Sequence, residues 1–199
     1  IFFVATKISF FDFDKMRQKK SLPLKFFLDN KDHNYLDEKE FTLIPKKYVN
    51  KKEKSGLIFV GYRNKSGFKK GIRENTSHLS RVHRQPNRIY SIDGYHPTIP
   101  SQESAGRFFI FIPEKNLVRK LSIRECFKIM GFPDDYKLNL TRGIHTVQLG
   151  NSCGINLIEE LSYQIDTQGL LSNDKLSNEV NRNNKNLQTV NKQTIIQFS

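Results

Sequence analysis

Apolar positions change period near residue 120. Before it they form short runs of strand length, and after it they recur at helical spacing. Ile1–Ala5 (IFFVA), Leu57–Tyr62 (LIFVGY), Asn87–Ser91 (NRIYS) and Arg107–Ile112 (RFFIFI) are the strand-length runs. Ile1–Ala5 is fully apolar and predicts a strand buried on both faces, and the other three runs predict short strands. Pro23–Leu28 and Asp37–Phe41 predict short helical turns. Arg63–Ser80 is polar and predicts an exposed loop, and Asp93-Gly94 predicts a turn. Further on, Ile123, Cys126, Phe127, Ile129 and Met130 fall on one face of a helix over Leu121–Met130. Ser122 and Glu125 have capping-box spacing, and Gly131 stands where a helix end wants left-handed geometry. A second helix is predicted over Thr141–Leu149, stopping at Gly150. A third is predicted over Ile155–Ile165, with Ile155, Ile158, Leu161 and Ile165 at helical spacing.

Charge adds a partner to this picture. The chain has 199 residues, with 33 Lys+Arg against 20 Asp+Glu and a net charge of +13. Residues 1–80 alone hold 18 Lys+Arg and 9 Asp+Glu. Such an excess points to an anionic partner, most often nucleic acid, although a basic loop is also an ordinary solvated surface. Lys46–Lys54 and Lys65–Arg73 are open to both readings. No run approaches the roughly 18 apolar residues of a membrane helix. The two cysteines, Cys126 and Cys153, exclude a disulfide scaffold and a four-cysteine zinc site. No metal ligand set is predicted. The polar stretch 166–199 has no apolar period and is expected to be disordered.

Three stretches carry a resemblance when read together. Arg119–Tyr136 is RKLSIRECFKIMGFPDDY, Gln148–Ile158 is QLGNSCGINLI, and Arg88–Gln102 is RIYSIDGYHPTIPSQ. The first resembles the ninth conserved block of DNA (cytosine-5) methyltransferases and the second the tenth. The third resembles the end of the family's target-recognition region, and IFFVA resembles the tail of the eighth block. The resemblance covers residues 1–5 and 84–165 directly.

It implies a mixed α/β fold: the C-terminal part of an S-adenosylmethionine-dependent, Rossmann-like methyltransferase with a small β-rich recognition domain. Residues 1–7 would be the last catalytic-domain strand, 8–118 the recognition domain, 119–165 helices returning to the catalytic domain, and 166–199 a tail. Arg88 and Thr98 align with positions that face DNA, and Gln85 with a loop position that fills the gap left by a flipped base. Arg81, His83 and Arg84 add a basic cluster. Arginine can hold guanine or phosphate by two hydrogen bonds, and glutamine can pair with a base. Asn151 and Ser152 align beside the cofactor. From the residues alone, an Asn or Ser before an apolar helix reads as an N-cap.

The family's reaction needs a Pro-Cys nucleophile, a Glu-Asn-Val segment and a glycine-rich cofactor block. Cys126 follows Glu125, Cys153 follows Ser152, and Glu74-Asn75 is followed by Thr76. No catalytic residue is therefore assigned in this chain. Cys126 is expected to be buried, and His145 to be packed or on the surface. With Ile at position 1, the chain reads as a fragment or split subunit, inactive alone, whose partners are double-stranded DNA and a missing N-terminal catalytic half. The implied setting is a bacterial cytoplasm and a restriction–modification system. The alternative is a non-catalytic DNA-binding module or a decayed remnant.

Overall fold

A computed structural model describes residues 4, 10–18, 20–29, 31, 33–64 and 75–170. Except for Val4, the predicted strand Ile1–Ala5 lies outside the described residues, as do 65–74 and the tail from 171. The chain forms two compact units, residues 20–155 and residues 1–19 with 156–199.

The larger unit is built on one five-stranded mixed sheet in sequential order. Its strands are β1 (Phe41–Leu43), β2 (Phe59–Arg63), β3 (Arg88–Ser91), β4 (Phe109–Ile112) and β5 (Leu117–Lys120). β1–β2, β2–β3 and β4–β5 pair antiparallel, while β3 and β4 run parallel. The parallel pair requires the chain to return over residues 92–108. β4 explains its apolar run. Phe108, Ile110 and Ile112 enter one core with Leu121, Phe127 and Leu149. Phe109 and Phe111 enter another on the opposite side, with Ile58, Val60, Ile89 and Val118. Burying a side chain such as Ile110 or Phe127 contributes about 1.5–3 kcal/mol.

The predicted strands over 57–62, 87–91 and 107–112 form with their ends shifted by up to two residues. β1 and β5 were not predicted. β5 carries charge at two of its four positions, and its Arg119 is 1% exposed. A buried charge hides a strand from a hydrophobic pattern. The hairpin before β5 turns at Asn116, whose φ of 52° suits a short polar side chain.

Helix α1 (Ile123–Ile129) starts with the predicted capping box. Ser122 Oγ accepts from Glu125 N–H, and Glu125 Oε2 accepts from Ser122 N–H. It ends before Gly131, whose φ is 87°. Helix α2 (Arg142–Asn151) corrects the predicted stop at Gly150. Gly150 lies inside the helix, where a Cβ would stand 2.0 Å from the Ser101 amide nitrogen. Glycine serves close approach there, letting α2 lie on the backbone of Pro100 and Ser101.

The smaller unit centres on helix α3 (Ile155–Thr167), predicted over 155–165. Its buried positions within that unit are polar, Glu160 and Gln164, while Leu157 and Ile158 are exposed. Arg17 binds this polar side: it donates to both Glu160 oxygens and lies 4.1 Å over the Tyr163 ring. These hydrogen bonds from Arg17 hold the Glu160 carboxyl down to about 2.

Candidate nucleic-acid interface

Two short 3-10 turns, Ser80–Val82 and Gln85–Asn87, lead into β3. His83 sits between them and is 5% exposed. Its ring stacks on Tyr62 at 3.9 Å, and its Nε2 lies 2.7 Å from the Ser77 carbonyl oxygen. Burial pushes the His83 pKa down, and the Arg88 charge works in the same direction against the Ser77 hydrogen bond. The expected basic cluster is corrected here: His83 is a buried post and adds no charge near neutral pH. Arg88 Nε donates to the His83 carbonyl at 3.1 Å, so the post also fixes Arg88 at the start of β3.

Around this post the structure gathers Arg81, Arg84, Gln85 and Arg88. Arg81, Arg84 and Gln85 are exposed, and Arg88 is half-buried. Among the described residues no carboxylate pairs with Arg81 or Arg84. Pro86 stiffens the turn at its second position. Thr98 is exposed but lies apart from these turns in sequence, on the return from β3 to β4.

Asn151 and Ser152 close α2 and do not open α3, which corrects the N-cap reading. Ser152 donates both its N–H and its hydroxyl to the Leu149 carbonyl, at 3.1 and 2.8 Å. Asn151 is the last helical residue and is exposed. α2 and the return loop nonetheless adjoin, through Gly150 against Pro100 and Ser101.

Cys126 is buried, as expected, and burial pushes its thiol up to about 12, which leaves no thiolate at neutral pH. Cys153 is exposed. His145 is packed: it accepts from Leu140 N–H at Nε2, and its Nδ1 meets Gln148 Oε1 at 2.9 Å. The Leu140 bond assigns the ring proton to Nδ1.

The chain matches the family model described as C-5 cytosine-specific DNA methylase over residues 4–167. The chain belongs to that family. The Type II methyltransferase M.MthTI of Methanothermobacter thermautotrophicus is 44% identical over 70 residues, 32% of this chain and 21% of that protein. M.HhaI of Haemophilus parahaemolyticus, also named a Type II methyltransferase, is 33% identical over 86 residues, 41% of this chain and 25% of that protein. The DNA (cytosine-5)-methyltransferase CMT3 of Arabidopsis thaliana is 38% identical over 76 residues, 37% of this chain and 9% of that protein. The match spans a quarter or less of each relative's length.

In this methylase chain Glu125, read from the sequence only as half of a cap, is a heavily bonded group. It accepts from Arg119 Nη1 and Nη2 at 2.8 and 2.6 Å, from Ser122 N–H at 2.8 Å and from Asp29 N–H at 3.0 Å. His33 lies 2.5 Å from Asp29, and Asp29, His33 and Glu125 offer ligand atoms within 4.8 Å of one another. Glu125 has both oxygens filled, so the cluster reads as a brace joining the segment at Asp29 to β5 and α1. Burial raises the Asp29 pKa, but His33 and the Lys31 N–H outweigh it and hold the carboxyl below its ordinary value.

Glu103 is a second junction that the sequence did not reveal. It contacts Lys120 of β5 and accepts from Arg142 Nε of α2 at 2.6 Å. Burial raises its pKa, and the two cations more than offset this. Arg142 also donates to the Leu121 carbonyl at 2.9 Å. No described helix is long and apolar enough to cross a membrane.

Proposed function

We propose that this chain is the DNA-recognising and cofactor-closing part of a DNA cytosine-5 methyltransferase. Such an enzyme moves a methyl group from S-adenosylmethionine to cytosine C5 in duplex DNA. One observation carries the reading beyond family membership. Arg81 and Arg84 stand exposed with no described carboxylate paired to them, and Gln85 is exposed beside Arg84, on two adjacent turns that the buried His83 joins at the head of β3. A post of this kind pre-orients side chains that must meet a duplex, which lowers the ordering cost of binding. Gln85 would enter the stack where the target cytosine leaves it, while Arg81, Arg84 and Arg88 would meet phosphates or guanine edges. Thr98 would reach the DNA from the return loop.

The cofactor side rests on Asn151 and Ser152. Ser152 has its hydroxyl committed to Leu149. Asn151, exposed at the end of α2, would therefore be the side chain that reaches the cofactor. We divide the chain as a recognition domain over 8–118 and returning helices over 119–165. The catalytic domain would be a Rossmann-like sheet supplied by other residues of the protein or by a second subunit. Ile144 and Val147 support this division. Each is 48% exposed on the outer side of α2, where a catalytic domain would cover them. A free-standing DNA-binding module has no use for such a face.

Incubating the whole protein that contains this chain with duplex DNA and labelled S-adenosylmethionine tests the reading, with bisulfite sequencing of the product. Methylation at cytosine C5 in one sequence context, lost in an Arg84→Ala, Gln85→Ala variant, is expected. Methylation that ignores those residues would remove the assigned recognition turn.

A further inference from the structure

The ends of β2, β3 and β5 place Arg63, Arg88 and Lys120 at one end of the sheet. Tyr62 pairs with Arg88, Ile89 with Phe109, and Phe109 with Lys120. Neighbouring strands lie about 4.8 Å apart, so the three cations spread over roughly 14 Å. Beside them is a cavity of about 260 Å³ lined by Arg63, Lys120, Phe109, Ser104, Glu103 and Pro86. Pro86 is the residue after Gln85, so the cavity opens beside the proposed recognition turn.

Arg63 is the informative residue. Its guanidinium carbon lies 4.3 Å over the Phe109 ring. Its Nε is buried, and among the described residues it has no hydrogen-bond partner and no paired carboxylate. Buried polar groups in folded proteins are normally satisfied, and among the described orphan donors Arg63 is the one whose side chain also lines this cavity, where its terminal nitrogens would meet an oxygen ligand. The one carboxylate in the cavity, Glu103, is already matched by Lys120 and Arg142.

We propose that this cavity holds a phosphodiester of the DNA backbone, clamped by Arg63 with help from the Ser104 hydroxyl. The planar guanidinium, lying over an aromatic face, presents the fork that suits phosphate oxygens. An unstacked base is a poorer occupant, because Arg63 already covers the Phe109 face on which it would stack. The inference rests on the DNA-binding reading above and adds a site that the aligned residues do not include.

The test uses the full chain and a fluorescent duplex of mixed sequence. The Nε–H resonances of Arg63 and Arg107 are followed by NMR as duplex is added. Arg107 Nε is also buried and unpartnered but does not line the cavity, so it serves as the internal reference. The Arg63 signal is expected to shift and the Arg107 signal to stay. In parallel, Arg63→Gln should lower the slope of log K against log salt by about 0.9, the value for one phosphate contact, and Arg63→Lys should keep it. Should Arg63→Gln fail to fold, the wild-type NMR titration decides alone. A chain that binds duplex with its Arg63 signal unmoved overturns the cavity and leaves the recognition turn standing. A shift with inorganic phosphate but not with duplex overturns it as a DNA site. A chain that binds no duplex overturns both readings.

Discussion

Replacing Glu125 with alanine removes the acceptor for four hydrogen bonds at one point. It leaves the Arg119 guanidinium 1% exposed without its counter-ion. Removing one member of a buried pair costs about 3–5 kcal/mol. Losing the returning half of the cap adds about 1 kcal/mol. A total near 5 kcal/mol compares with roughly 5–15 kcal/mol for a whole domain. Urea denaturation followed by circular dichroism measures this directly. With a slope of about 1–3 kcal/mol per molar, the midpoint should fall by roughly 2 M or more. The uncompensated charge is the cause, so removing it should restore stability. Arg119→Met combined with Glu125→Leu should recover most of the loss, because apolar replacement of a buried pair is often neutral. A Glu125→Ala cost below about 1 kcal/mol, or a double variant as unstable as the two singles summed, would refute the reasoning.

Burial holds His96 down to about 4 from 6.5. Unfolded chains therefore take up a proton in that window that the fold refuses. Stability should be full above pH 6.5, fall by on the order of 2 kcal/mol towards pH 4, and lose this step in His96→Phe. Glu160 is depressed from 4.5 to about 2, so its contribution should persist above 4.5 and disappear as pH falls towards 2. Gly150→Ala should push α2 off Pro100–Ser101, costing about 1–3 kcal/mol in a thermal melt. It should also disturb DNA binding, and a variant that melts like wild type would contradict the close approach. Arg88→Ala should weaken duplex binding by about 1–3 kcal/mol in a filter assay. In the active enzyme, Asn151→Ala should raise the cofactor requirement more than Ser152→Ala, and equal effects would reject Asn151 as the reaching side chain.

The helices were the most legible part of the sequence. Ser122, Glu125 and Gly131 are local signals, and each does in the fold what its spacing implies. β4 was legible because both its faces are apolar. β5 was hidden because Arg119 is buried by virtue of Glu125, six residues away, and no periodicity records that pairing. Gly150 and Ser152 misled for a related reason. Glycine reads as a stop from the sequence, and only the fold reveals the loop pressed against it. The recognition turn was partly legible, since Arg81, Arg84, Gln85 and Arg88 lie close in sequence. The cavity beside it was not, because Arg63, Glu103 and Lys120 come from three distant segments.

Duplex binding by the full chain, measured by fluorescence anisotropy across a salt series, bears most directly on the central claim. The account predicts affinity that falls steeply and linearly in log K against log salt. It also predicts a shallower line when Arg81 and Arg84 are both alanine. No salt-dependent binding, or a double variant indistinguishable from wild type, would contradict it.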